Sequence, residues 1–152
     1  MSEIHIINHY PGAPGLRLFG LGTRLLPAQG IIQLKKLLTQ ETFWAKRRTE
    51  NNIRAMLRNS DVVISIWNKK TMVGFGRATS DYIYRAVLWD VVIANDFQGA
   101  GIGKLLIAAL MKSNAIKSVE KVYLMTTNRS DFYQQMGFVE LSKQTLMLNT
   151  QI

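Results

Sequence analysis

Apolar positions along this chain change their period several times, and each change marks an element. Ile31, Leu34, Leu37 and Leu38 recur at helical spacing behind Pro27-Ala28, which predicts a helix. Ile53, Met56 and Leu57 give a second stripe, for a helix starting between Phe43 and Arg47 and ending at Arg58. From Val62 onward the pattern turns to β-rich runs, 62–67, 72–79 and 82–93, parted by the short polar turns Asn68-Lys69-Lys70-Thr71 and Thr79-Ser80-Asp81. Turns that short predict an antiparallel meander. Ile102, Leu105, Leu106, Ala109 and Leu110 then fill one helix face. Residues 121–126 read as a strand, and a helix between strands predicts a crossover to a parallel neighbour. Ser130–Met136 reads as a short helix closed by Gly137, followed by strands at 138–141 and 145–148. Near the start, Ile4, Ile6 and Ile7 allow a short strand, and the alternation from Leu16 to Leu21 predicts another behind the connector Pro11-Gly12-Ala13-Pro14-Gly15. The order predicts an α+β fold: a mixed, mostly antiparallel central sheet flanked by helices, one domain over residues 1–152.

Between the run Val87–Ile93 and the helix at Ile102 stands Asp96-Phe97-Gln98-Gly99-Ala100-Gly101-Ile102-Gly103-Lys104. Alternate glycines let backbone amides approach a bulky anion, and a helix N-terminus adds unpaired donors and a positive dipole end. A strand, a glycine turn and a helix start together make a pyrophosphate cradle. A P-loop does not fit, because Gln98 stands where its first glycine belongs and Leu105 where its hydroxyl belongs. The dinucleotide fingerprint does not fit either, since Gly103 falls one position early.

The spacing that fits is Gln-x-x-Gly-x-Gly at Gln98, Gly101 and Gly103, which resembles the acetyl-CoA loop of the GNAT superfamily of N-acetyltransferases. A second motif, Phe132-Tyr133-x-x-x-Gly137-Phe138, is similar to that family's C-terminal signature. Asn59-Ser60-Asp61, Val73 to Ala78 and Leu88 to Val92 resemble the small cyanobacterial and plastid members, and the likeness runs from about Ala28 to Leu148. The resemblance implies a GNAT-like sheet and acetyl-CoA as co-substrate without a metal. It also implies transfer of acetyl to a primary amine: an arylalkylamine, a protein amino group or a small metabolite.

The resemblance also assigns roles. Backbone amides of Gly99, Ala100, Gly101, Ile102, Gly103 and Lys104, with Gln98, would hold the pyrophosphate. Val91, Val92 and Ile93 would pair their backbone with the pantetheine arm, and an amide near Val91 would polarise the thioester carbonyl. Asn128 would touch the same arm, although Thr126 stands where many members have asparagine. Tyr133 would protonate the leaving thiolate, as a phenol with pKa near ~10 is protonated at neutral pH. The glutamate that some relatives carry eleven residues before the loop glutamine is Val87 here. Asp90 is then the leading acidic candidate for general base, with Asp81 or water behind it. Trp44, Arg47, Arg77, Tyr82 and Tyr84 are candidates for the acceptor side.

Composition narrows this reading. There is no cysteine, which excludes disulfides, thiolate metal sites and a cysteine nucleophile, and so favours direct attack on acetyl-CoA. The net charge of +9 suits a polyanionic ligand such as CoA. Nucleic acid is the competing anion, but aromatics are not interleaved with the basic residues as base stacking requires. A noncatalytic basic module, a CoA sensor or a nucleic-acid binder, is the alternative. No apolar run reaches membrane-span length and the start of the chain lacks a signal-peptide pattern. The expected setting is therefore cytoplasmic, or the plastid stroma for a plastid protein, with an amine acceptor as partner and no membrane. Homodimerisation is left open.

Overall fold

The computed structural model describes residues 3–141 and 143–150. Among them the order is β1 (Ile4–Asn8), α1 (Pro14–Phe19), α2 (Gly30–Glu41), α3 (Glu50–Arg58), β2 (Val62–Asn68), β3 (Thr71–Ser80), β4 (Arg85–Ile93), α4 (Ile102–Lys112), β5 (Lys121–Tyr123) and α5 (Ser130–Gln134). The strands form one sheet in the order β1-β2-β3-β4-β5, antiparallel except for the β4–β5 pair. This is the mixed, mostly antiparallel sheet the sequence predicts, with the crossover helix α4 between its parallel pair.

The alternation of β2 explains how the sheet divides the core. Val63 and Trp67 face α1, α2 and α3, packing with Leu16, Leu34, Leu38, Ile53 and Leu57. Val62, Ile64 and Ile66 face the other way, onto Ile102, Leu106, Ile107 and Leu110 of α4. A strand buried on both faces must be apolar throughout, and β2 is nearly so. Its one polar residue among the fully buried positions, Ser65, accepts a hydrogen bond from Trp67 Nε1 at 2.8 Å. The Ser65 hydroxyl proton is then free for His9 Nε2, 2.7 Å away. Burial pulls the His9 pKa down to about 4, so that ring is neutral and accepts.

Two expectations fail. Residues 16–21 are not a strand: α1 covers Pro14–Phe19, with proline in its first turn and Gly20 at its C-cap in the left-handed region. Residues 138–141 and 145–148 form no strand. The neighbouring β5 is three residues long, too short an edge to template a further hairpin.

Candidate active site

The site begins with an irregularity in β4. Phe75 pairs with Val92 and Arg77 with Trp89, so β4 spends one residue more than β3 over this stretch. The extra residue is a bulge, and Asp90 sits in it at φ 52°, a conformation glycine would adopt more cheaply. The bulge reverses the phase of the strand. Ala86 and Leu88 face α4 before it, whereas Val92 faces the α2 side after it. Asp90 and Val91 are left without ladder partners in β3.

On its other edge, β4 pairs with β5 only from Arg85 to Val87. Beyond that the strands diverge, and a cleft of about 1130 Å³ opens between them. One wall is Leu88 to Ile93 and the facing wall is Leu124 to Arg129 with Phe132 and Tyr133. Its floor is the glycine loop, through Gln98, Gly99, Gly101, Gly103 and Lys104, and the far end is closed by Glu41, Phe43, Trp44, Arg48 and Arg77.

The loop glycines divide by task. Gly99 and Gly101 both have φ 81°, and a Cβ on either would meet no protein atom within 4 Å. That is backbone turned to an open surface. Gly103 differs, because a Cβ there would lie 3.1 Å from Phe132 Cζ. Its role is to let α5 pack on α4. Gly101 caps α4, and the first bond into the helix runs from the Leu105 amide to the Gly101 carbonyl. The amides of Ile102, Gly103 and Lys104 therefore have no acceptor within the helix. Gln98 braces the loop: its Nε2 donates to the Ile93 carbonyl at 3.1 Å and its Oε1 accepts from Arg129 Nη2 at 2.8 Å. Lys104 and Arg129 make this end of the cleft cationic.

Tyr133 projects from α5 between Phe132 and Phe138, edge-on to both rings. Burial raises its pKa above the ordinary phenol value, against a smaller opposing pull from the Arg129 charge. The phenol is therefore firmly protonated at neutral pH.

Asp90 is a candidate base in the sequence, and its surroundings occupy both of its carboxylate oxygens. Its Oδ2 lies 2.8 Å from Arg77 Nε and 2.9 Å from Arg48 Nη1, and its Oδ1 accepts from Trp44 Nε1 at 3.0 Å. The side chain is 4 % exposed. Burial pushes its pKa up, but the hydrogen bonds and charges of the two arginines outweigh this and hold it below the usual carboxylate value. A carboxylate so occupied is a poor proton acceptor. It is well made to tie the α2–α3 loop to β4. Asp81, the second acidic candidate, lies outside the cleft lining, and its Oδ1 accepts the amides of Ile83, Tyr84 and Arg85 in the β3–β4 turn.

Most of the expected site residues meet in the cleft: Asp90, Val91, Val92, Ile93, Gln98, Gly99, Gly101, Gly103, Lys104, Asn128 and Tyr133 all line it. Ala100 and Ile102 do not, and the Ile102 side chain, at the start of α4, is buried in the core. On the acceptor side Trp44 and Arg77 are present, Arg48 takes the place expected of Arg47, and Tyr82 and Tyr84 sit on the exposed β3–β4 turn instead. Glu41, Phe43, Trp89 and Arg129 were not anticipated. No local sequence signal marks them, as each arrives through tertiary packing.

Residues 59–140 match the family model described as the acetyltransferase (GNAT) domain. The chain belongs to this GNAT family. It is 37% identical over 102 residues to the uncharacterised N-acetyltransferase ycf52 of Pyropia yezoensis, covering 64% of this chain and 58% of that protein. It is 33% identical over 96 residues to the chloroplastic GCN5-related N-acetyltransferase 1 of Arabidopsis thaliana, covering 61% and 49%. The GNAT chain thus spans about half the length of the curated relatives it matches. Among solved structures, a GNAT-family protein from Xanthomonas campestris superposes with TM-score 0.72 at 23% identity, covering 98% of this chain and 94% of that one. The ribosomal-protein-S18-alanine N-acetyltransferase of Escherichia coli superposes with TM-score 0.66 at 14% identity, covering 92% and 80%. At those identities the superpositions speak for the fold. Among the described residues no group of three or more metal-ligating side chains occurs, and no helix is long and apolar enough to cross a membrane.

Proposed function

We propose that this protein transfers acetyl from acetyl-CoA to a primary amine by direct attack within a ternary complex. The observation that carries the reading is the convergence, on one cleft, of diverging strands, an amide-lined helix start and a protonated tyrosine. The open space over Gly99 and Gly101 fits a pyrophosphate approaching the backbone, and Lys104 and Arg129 suit its charge. The pantetheine arm would run along Val91, Val92 and Ile93, with the amides of Asn128 and its neighbours facing it across the cleft.

In the reaction the amine nitrogen attacks the thioester carbonyl carbon. A C–N bond forms, the C–S bond breaks, and the amine's proton passes to solvent water in the open cleft. Val91, left out of the β3 ladder by the bulge, supplies an amide to the carbonyl oxygen as charge develops. Tyr133 gives its proton to the CoA thiolate and regains one from solvent. Asp90 holds the acceptor loop through Arg48, Arg77 and Trp44. Glu41 is the cleft carboxylate with no ion pair among the described residues, and it would attract the ammonium form of the acceptor. The aromatic walls Phe43, Trp44 and Trp89 favour an amine with an apolar or aromatic neighbour. The chloroplastic relative supports a stromal setting.

A thiol-release assay with acetyl-CoA against arylalkylamines, peptide N-termini and lysine peptides tests the proposal. Release with at least one acceptor class, lost in Tyr133→Phe, is expected. Calorimetric binding of acetyl-CoA with no release for any acceptor would instead establish the noncatalytic sensor, a reading that the absent glutamate and the committed Asp90 favour.

A further inference from the structure

From Ile4 to Gln40 the chain has no acidic residue, yet it carries Arg17, Arg24, Lys35 and Lys36. The same stretch leaves large apolar side chains in solvent. Phe19 is 70% exposed and Leu25 77%, and Leu18, Leu26 and Ile32 are each more than half exposed. Globular chains scatter single exposed leucines over their surface, but a cluster of five within fifteen residues marks an interaction surface.

Hydrogen bonds gather these residues at one end of the fold. The Gly20 carbonyl accepts the amides of Ala28 and Gly30, which brings the end of α1, with Leu18 and Phe19, against the start of α2, with Ile32. The Gly22 amide donates to the Leu26 carbonyl, closing a tight loop that holds Arg24 and Leu25 at its tip, both at φ 57°. Thr23 Oγ1 reaches the Lys69 carbonyl, and Gln33 Nε2 reaches the Lys70 carbonyl at 2.7 Å. The β2–β3 turn therefore sets Lys69 and Lys70 beside the apolar tip. Arg24, Lys36, Lys69 and Lys70 are exposed and make no ion pair among the described residues.

We propose that this end of the molecule docks on an anionic lipid surface, with Phe19, Leu25 and Leu26 entering the acyl boundary and Arg24, Lys36, Lys69 and Lys70 meeting the headgroups. Charge decides among the occupants. A second copy related by a two-fold axis would oppose Arg24, Lys36, Lys69 and Lys70 to the same four cations, against the one carboxylate of Glu3 that the register of Ile4 with Asn68 sets beside Lys69. Nucleic acid would meet the cations but gain nothing from the leucines. An apolar tip that protrudes is also shaped to insert rather than to receive a partner's side chain. Surface binding of this kind needs no membrane-spanning helix. It revises the expectation of no membrane partner, which rested on the lack of a spanning run, and it stands independently of the cleft and its reaction.

The test is co-sedimentation of the full chain with sucrose-loaded vesicles of phosphatidylglycerol and phosphatidylcholine, compared with phosphatidylcholine alone. Binding to the anionic vesicles, weakened by salt, is expected. Lys69→Gln with Lys70→Gln should reduce partitioning by about fivefold for each cation removed. Phe19→Glu with Leu25→Glu should abolish it, while both variants keep the thermal transition of the parent, since these side chains are already in solvent. Equal partitioning onto both vesicle types, or binding unchanged in both variants, would overturn the proposal. So would a concentration-dependent dimer in sedimentation velocity that Leu25→Glu dissociates while the vesicles recover no protein.

Discussion

The two ends of the cleft are built from different materials. The end that would take the coenzyme is made of backbone: two glycines at φ 81°, a helix start, and a strand edge that has lost its neighbour. The end proposed for the acceptor is made of side chains from three distant segments, with Trp44 and Arg48 from the α2–α3 loop, Arg77 from β3 and Asp90 from the β4 bulge. Backbone donors recognise a group that does not vary, such as a diphosphate, and need little from side-chain identity. A side-chain cluster can be rebuilt without disturbing the sheet. The contrast teaches where specificity would reside under the proposed reaction: the coenzyme end can be constant and the other end variable, because only the second depends on which side chains stand at 41–48, 77 and 90.

The largest effect should come from the one side chain on which the chemistry at the donor end depends. Tyr133→Phe removes the proton donor while keeping the ring between Phe132 and Phe138. It should lower kcat by ~10²–10⁴ while calorimetry shows unchanged acetyl-CoA binding. A drop in binding that matched the drop in kcat would mean that the ring, and not the hydroxyl, matters. Asp90→Asn comes next and acts on the acceptor end. It leaves two arginines beside a neutral amide, and breaking such a buried pair costs ~3–5 kcal/mol, with the low end expected because Arg48 is 30% exposed. Acceptor KM should rise and the thermal midpoint fall, with acetyl-CoA affinity held. If kcat collapsed instead with acceptor KM unchanged, Asp90 would be the base after all.

This division also explains what could be read from the sequence. The glycine-loop end of the cleft was legible as a place because glycines at 99, 101 and 103 encode backbone conformation directly, and a second motif at 132–138 brought Tyr133 to the same cleft. The acceptor end was not, because its assembly depends on a bulge. Nothing in Leu88-Trp89-Asp90-Val91 announces a positive φ, for the bulge residue is an aspartate held by its partners rather than a glycine. Period-two reading carries a strand straight through such a point and assigns the wrong faces beyond it. The helix α1 was missed for a smaller reason. Leu16-Arg17-Leu18-Phe19 alternates like a strand, although Pro14 and Gly20 at its two ends already spelled a helix.

Acid should separate the fold from the acceptor clamp. His9 is neutral in the folded core with a pKa of about 4, against about 6.5 unfolded. Its contribution is therefore complete above pH ~6.5, is lost as pH falls from there to about 4, and is worth about 3 kcal/mol. The Asp90 clamp has a depressed pKa, so it is intact throughout that window and fails only below the ordinary carboxylate range. Urea midpoints should thus decline between pH 6.5 and 4 while the Asp90–Arg contacts persist. His9→Gln, which keeps a partner for Ser65, should flatten that decline.

The smallest effects test the division within the glycine loop itself. Gly101→Ala places a side chain at φ 81° facing the cleft, at a strain of about 1–2 kcal/mol. Its larger consequence should be on acetyl-CoA binding, because the new methyl stands where the diphosphate would approach. Gly103→Ala should behave differently. The new methyl gains up to about 1 kcal/mol of helix propensity in α4 but presses on Phe132 at 3.1 Å, so the thermal midpoint should hardly move. Phe132 can yield by shifting α5, a five-residue helix, and Tyr133 is the next residue on it. The expected outcome is near-normal acetyl-CoA affinity with a severalfold lower kcat, measured by calorimetry and thiol release on the same preparation. Equal loss of affinity in the two variants would show that Gly103 serves the phosphate as Gly101 does, and overturn its assignment to the packing of α5.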